Sequence, residues 1–194
     1  LYTGKINKHF LEGSFVDAIE LIPEIELFIQ EFEGKLDDHR ILIFYYKMAC
    51  MFFGNGDNKM AIEYLNRIIQ FKGLNLREDI QCFARILNLI AHFELGNDDL
   101  VAYQVRSVYR FLIKMDDLHG VQKEILAFIR NLPLPTEGEL KKQFRILRAK
   151  LLGLLSNPYE KRPFLYLDII SWLECKIEGT PVQSVINAKF KEEL

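Results

Sequence analysis

Arginine and lysine side chains form two stripes on segments with helical periodicity, and these stripes are well suited to bind a charged ligand. They are Arg106, Arg110 and Lys114 at i, i+4 and i+8, and Lys141, Arg145 and Arg148 on one helical face. A guanidinium group can bind a carboxylate through two parallel hydrogen bonds, so we expect an anionic partner such as an acidic protein segment. If the two helices are neighbours, the stripes merge into one basic patch on the convex, outer side of the helix array. This patch would consist of Arg106, Arg110, Lys141, Arg145 and Arg148. The alternative is a solvated face whose cations pair with carboxylates of the same chain.

The histidines and cysteines form no catalytic or metal-binding pattern. They are scattered along the chain as His9, His39, His92, His119, Cys50, Cys82 and Cys175. The sequence contains no HExxH, no glycine-rich phosphate loop, no GxSxG and no CxxC. Three dispersed cysteines are typical of free thiols in a reducing compartment. We therefore expect a cytoplasmic protein that is not an enzyme and that needs no cofactor and no metal.

Composition and charge predict a single domain over residues 1–194. The chain is 49% hydrophobic and 27% charged, with a formal net charge of −2, and no apolar run is long enough to span a membrane. Charge is segregated nevertheless, because residues 12–38 hold nine acids and one lysine. The negative net charge and the poor interleaving of aromatic residues with basic ones argue against nucleic acid as the partner. Because the chain starts at Leu1 without a methionine, we expect a fragment of a longer protein.

Helical periodicity dominates the sequence, and strand-like alternation is missing. The clearest stretches are KMAIEYLNRIIQF at 59–71, LVAYQVRSVYRFLIKM at 100–115 and LKKQFRILRAKLLGLL at 140–155. Short segments rich in glycine, proline and asparagine separate them, which predicts about ten helices joined by short connections. Short connections favour antiparallel neighbours, so we expect helix pairs.

The helix pairs repeat along the chain. Gly13, Gly54 and Gly96 recur at intervals of 41 and 42 residues, and such a period in an all-helical chain is typical of a solenoid. In GDNKMAIEYLNRII, residues 56–69, Gly56 permits a tight turn. The small Ala61 then lets the second helix of the pair approach the first.

This stretch resembles the tetratricopeptide repeat. The matching positions are Tyr45, Met48, Ala49, Phe52, Gly56, Ala61, Leu65 and Ile68. The match is good over 42–71, partial over 2–30 and weaker over 84–113. The resemblance implies an all-α, right-handed superhelix of about five antiparallel helix pairs with lengthened helices. The repeats are clearer in 1–115, and 116–194 would hold divergent helix pairs and a C-terminal cap.

The resemblance also implies a peptide-binding groove, because the first helix of each pair lines the concave side of such a superhelix. The candidate residues are Asn7, Tyr46, Arg85, Asn88 and His92. Asparagine amides can bracket an extended backbone, Tyr46 can stack, and Arg85 can pair with a carboxylate. We expect these side chains to be partly exposed on one surface. The alternative for Asn88 and His92 is a polar strip that faces solvent or bonds to the next helix. Trp172 is either a buried capping residue or an exposed anchor for a partner.

The sequence therefore predicts a non-catalytic scaffold that binds a protein or peptide in the concave groove. An alternative is a ligand- or peptide-responsive sensor domain of a larger regulatory protein, and an enzyme is the third and least favoured reading. We expect no nucleic-acid or membrane partner, and a homo-oligomer is compatible with these patterns.

Overall fold

The computed structural model describes residues 2–32, 34–71, 77–116, 118–131, 137–160 and 168–192, and every regular element within these ranges is helical. The α-helices are α1 (Tyr2–Glu12), α2 (Phe15–Glu20), α3 (Ile22–Glu31), α4 (Asp38–Gly54), α5 (Asn58–Ile69), α6 (Glu78–Glu94), α7 (Asp98–Lys114), α8 (Gly120–Arg130), α9 (Glu137–Leu155), α10 (Ile169–Glu178) and α11 (Val182–Glu192), with a 3-10 turn at Pro158–Glu160. The all-α class predicted from the sequence is confirmed. None of the helices in these ranges is both long and apolar enough to cross a membrane.

Local sequence signals explain where several helices begin. Asp37, Asp57 and Asp168 each precede a helix and accept a hydrogen bond from a backbone N–H of its first turn, which satisfies a donor that has no partner within the helix. Gly56 turns the chain between α4 and α5 with φ +83°. Ala61 is fully buried where α5 packs on α4. The predicted turn at Gly56 and the burial of Ala61 are therefore confirmed.

The equivalence of Gly54 with Gly13 and Gly96 is wrong. Gly54 is the last residue of α4, and the ring of Phe15 packs so closely on it that a Cβ there would lie 2.6 Å from a ring carbon. The glycines with positive φ that recur in these turns are Gly13 (66°), Gly56 (83°) and Gly96 (68°). The turns are thus separated by 43 and 40 residues. Gly54 is required for close packing between α4 and α2, not for a reversal of the chain.

Consecutive helices pack as neighbours through most of the molecule. Helix α5 lies between α4 and α6, and α7, α8, α9, α10 and α11 each pack on the helix before them. The last helix also contacts the first. The side-chain amide of Asn187 on α11 donates to the carbonyl oxygen of Glu12 at 2.9 Å, and Gly13 lies directly under the backbone of Gln183. The array of helix pairs therefore closes on itself.

Four aromatic rings join the C-terminal helices to α6. Phe93, Phe128, Phe144 and Trp172 come from α6, α8, α9 and α10, and their ring centroids lie 5.2–6.4 Å apart. Trp172 is only 2% exposed, and its indole N–H donates to Glu94 Oε1 at 2.7 Å. Trp172 is therefore a buried residue of the core, and not an exposed anchor.

Candidate functional site

Two of the five residues expected to line the concave groove are buried. Tyr46 on α4 is 5% exposed and Asn88 on α6 is 4% exposed. The amide of Asn88 donates to Asn66 Oδ1 of α5 at 3.3 Å. The expectation that Tyr46 and Asn88 are partly exposed is wrong, because neighbouring helices cover the faces of α4 and α6 that carry them. Asn88 is therefore a buried polar residue that bonds to the preceding helix, whereas the alternative interpretation places such a bond on the next helix.

The other three groove candidates are engaged within the chain. The guanidinium group of Arg85 lies 3.6 Å from the ring centroid of Phe111 on α7 and donates to Gln81 Oε1 at 2.6 Å, and its burial lowers its pKa. His92 shares a hydrogen bond of 3.0 Å with Asn97, and its partial burial lowers its pKa. Asn7 Oδ1 accepts from Lys47 Nζ at 2.6 Å.

Cys50 on α4 is a buried thiol. The side chain is 8% exposed, and burial raises its pKa to about 12. Because the thiolate is the reactive form, this thiol is inert near neutral pH. Among the described residues, no group of three or more histidine, cysteine or carboxylate side chains could hold a metal ion.

The two basic stripes lie on different surfaces, so the predicted merger into one patch is wrong. Helix α8 packs between α7 and α9. Arg145 and Arg148 of α9 line a hollow together with Glu174 and Glu178 of α10. Arg148 Nε donates to Glu174 Oε1 at 2.8 Å, so its charge is neutralised within the chain. Lys141 lies half-buried near the start of α9.

Glu174 forms ion pairs with two cations in that hollow. Lys189 of α11 approaches its second carboxylate oxygen at 2.6 Å. Burial acts to raise the pKa of Glu174, but the hydrogen bonds from Lys189 and Arg148 outweigh burial and lower the pKa below its usual value. Arg148 is therefore part of a salt-bridge face, as in the alternative interpretation, whereas Arg145 is exposed and no carboxylate of the described residues pairs with it.

Arg106 and Arg110 instead contribute to a basic groove between α7 and α8. We call the basic groove the surface hollow of about 570 Å³ lined by Val105, Arg106, Tyr109, Arg110, Lys123, Leu126, Ala127 and Arg130. Its four cations, Arg106, Arg110, Lys123 and Arg130, are exposed, whereas Val105 and Leu126 are buried and form an apolar floor. Tyr109 is 44% exposed at the edge.

Helical spacing explains how the groove is built. Arg106 and Arg110 are one turn apart on α7, and Lys123, Ala127 and Arg130 share one face of α8 at i, i+4 and i+7. Lys123 and Arg130 are not among the residues predicted from the sequence. They are separated by six residues that include Glu124, so no dense basic run marks them, but the i, i+7 spacing would have found them.

The positive charge of the basic groove is not neutralised by the described part of the chain. No carboxylate of those residues lies within ion-pair distance of Arg106, Arg110, Lys123 or Arg130. Glu124, one residue after Lys123, pairs instead with Lys150 of α9 at 2.8 Å. Arg110 donates only a long bond of 3.4 Å to the carbonyl oxygen of Arg106. Four like charges around an apolar floor make a local positive potential that attracts an anionic partner.

No family model matches the sequence, and neither a curated protein nor a solved structure is significantly similar to it. The geometry of the basic groove is therefore the feature of the molecule that points to a function.

Proposed function

We propose that this chain is a non-catalytic protein-binding module that takes an acidic segment of a partner protein into the basic groove. The observation that carries the proposal is the set of four exposed cations around an apolar floor, none of them paired with a carboxylate in the part of the chain that the structure describes. The packing of neighbouring helix pairs, with Gly56 in a turn and Ala61 buried, supports a right-handed tetratricopeptide-like superhelix as the architecture behind this module.

The chemistry of the basic groove suits a peptide better than a simple anion. Arginine can bind carboxylates through two parallel hydrogen bonds, while Val105, Leu126 and Ala127 offer apolar contact to aliphatic side chains between the acids. Tyrosine and arginine are the residue types that most often dominate binding at protein interfaces, and Tyr109 lies beside Arg106 and Arg110. A segment that alternates acids with aliphatic residues could pair its acids with the four cations and pack its aliphatic side chains on the apolar floor.

The length of the groove sets the length of the probe. Helix α8 has 11 residues, so the groove runs for about 16 Å. We would use a fluorescein-labelled peptide of about 15 residues built from glutamate, leucine and alanine, which spans this distance even as a helix. A peptide with lysine in place of glutamate tests whether the charge of the probe matters.

Reversal of two groove charges tests the proposal by fluorescence anisotropy. Arg106→Glu with Arg110→Glu should weaken binding of the acidic peptide by about tenfold or more, since two attractions become repulsions worth together about 1.4 kcal/mol or more. Raising the salt from about 0.05 M to about 0.5 M should weaken wild-type binding steeply. The lysine peptide should not bind.

A matched control separates the groove from net charge. Arg40→Glu with Lys59→Glu makes the same change in net charge at two exposed positions near the starts of α4 and α5, where an acid suits the helix dipole. This variant should bind the peptide like the wild type. An equal loss of peptide affinity in both variants would overturn the proposal. So would the finding that polyuridylate binds tightly to the groove while the acidic peptide does not bind.

A further inference from the structure

An exposed acidic face lies on α2 and α3, far along the chain from the basic groove. Its acids are spaced at helical intervals and interleaved with exposed aliphatic side chains. We call the acidic face the set Val16, Asp17, Glu20, Glu24, Leu27 and Glu31. Val16 is 53% exposed and Leu27 is 59% exposed. This composition is that of the segment the basic groove is suited to bind.

The acids of this face have no cationic partners within the described ranges of the chain. No lysine or arginine there lies within ion-pair distance of Asp17, Glu20, Glu24 or Glu31. Glu26, on the other side of α3, behaves differently, because Arg67 and Tyr64 both donate to it, at 3.0 and 2.7 Å. Within α2 and α3, the acids without a cationic partner among the described residues are therefore the exposed ones, and Glu26 is set apart by its pairing.

The acidic face and the basic groove do not meet within one molecule. Helices α2 and α3 pack on α4, and α5 and α6 follow before α7 and α8. The exposure of Leu27 on one side, and of Arg106 and Tyr109 on the other, shows that neither surface covers the other. Contact between the two surfaces needs two copies.

We propose that the basic groove binds the acidic face of a second copy of this chain, an inference that rests on the proposed function and names its partner. Four acids and four cations, each without an ion-pair partner among the described residues, would oppose one another, and Leu27 and Val16 would oppose the floor of Val105 and Leu126. The net charge of −2 adds little general repulsion between copies. Because the two surfaces differ, the contact is head to tail and leaves one free groove and one free acidic face at the ends.

Paired charge reversals test this inference by sedimentation velocity at about 0.05 M salt. The wild type should sediment as concentration-dependent oligomers that dissociate at about 0.5 M salt, where charges are strongly screened. The groove variant, Arg106→Glu with Arg110→Glu, should sediment as a monomer. The face variant, Glu20→Arg with Glu24→Arg, should do the same.

Mixing the two variants gives the decisive result. Each variant alone lacks one of the two complementary surfaces, but in an equimolar mixture the intact basic groove of the face variant can bind the intact acidic face of the groove variant, so heterodimers should form. Restored association also requires that both variants are folded. The control variant Arg40→Glu with Lys59→Glu should associate like the wild type.

Three outcomes would overturn the self-association: a wild type that is monomeric at low salt, oligomers that survive the groove reversal, or a mixture that stays monomeric. The peptide measurement distinguishes this failure from failure of the proposed function. If the acidic peptide binds the groove of a monomeric wild type, the groove takes a different acidic partner. If the peptide does not bind either, both proposals are wrong.

Discussion

At the scale of single residues, Glu174 illustrates how a charge inside the array is held in place. Its carboxylate on α10 accepts from Arg148 of α9 and pairs with Lys189 of α11. Lys189 also donates to Ser171 Oγ at 2.8 Å. One acid thus links three helices, which explains why the charge of Arg148 is already used within the chain.

Glu174 should make the stability of the protein sensitive to acid. Because the pKa of Glu174 is lowered on folding, the unfolded chain binds the proton first. The contribution of Glu174 is therefore present above its unfolded pKa, about 4.3, and is lost as pH falls through the lower folded value. Glu174→Gln should lower the free energy of unfolding at pH 7 by about 1–3 kcal/mol and should lose less stability than the wild type on acidification, as measured by urea denaturation.

The control for this measurement is Glu178→Gln, which removes an exposed acid from the same helix. It should change the stability at pH 7 by no more than about 0.5 kcal/mol. If the free energy of unfolding fell equally with pH in the wild type and in Glu174→Gln, Glu174 would not be the source of the acid sensitivity.

At the scale of helices, the turn between α1 and α2 depends on the absence of a side chain. Gly13 has φ +66°, and a Cβ there would lie 2.7 Å from the carbonyl oxygen of Gln183 and 2.9 Å from the amide nitrogen of Asn187. Both atoms belong to the backbone of α11 and cannot move alone. The last helix therefore packs on the first through a position that tolerates only glycine.

Gly13→Ala should destabilise the protein more than Gly56→Ala. Both substitutions place an alanine in the left-handed region, which costs about 1–2 kcal/mol, but only at Gly13 does the new Cβ meet neighbouring atoms. We expect the additional overpacking at Gly13 to cost about 1–3 kcal/mol more. Thermal denaturation of the two variants measures the difference, and equal losses of stability would show that α11 yields to the new side chain without cost.

The sequence predicted those features of the helices that depend on local chemistry. The turn at Gly56 and the small residue at Ala61 follow from backbone freedom and close approach, and both can be read from the chain alone. The role of Gly54 could not be read in this way, because it depends on Phe15, which lies 39 residues away. Lys123 and Arg130 join Arg106 and Arg110 only because α8 packs beside α7.

The residues predicted to line the concave groove show why a binding site was harder to predict than the fold. Asn88 has the spacing and chemistry of a binding residue, but spacing along one helix does not reveal which neighbour covers that face. Asn66 of α5 bonds to Asn88 in the structure. Likewise, the pairing of Arg148 with Glu174 could not be predicted without knowing that α9 and α10 are adjacent.

At the scale of the whole molecule, opposite charges occupy separate regions while the net charge stays near zero. The acidic face lies on α2 and α3, the basic groove lies between α7 and α8, and α4 to α6 pack between them. Charge separated in this way orients approaching partners before contact. The charge-reversal experiments on both surfaces therefore test properties of the molecule as a whole.

The contact between the first and last helices has a consequence for how the molecule opens. The terminal units of an open stack have one neighbour each and fray independently. Here the bond from Asn187 to Glu12 spans 175 residues, and each terminal helix protects the other. Asn187→Ala should therefore accelerate amide hydrogen exchange in α1 as well as in α11, whereas Ser184→Ala, at an exposed position of α11, should change neither. Faster exchange confined to α11 would mean that the two ends of the chain open separately.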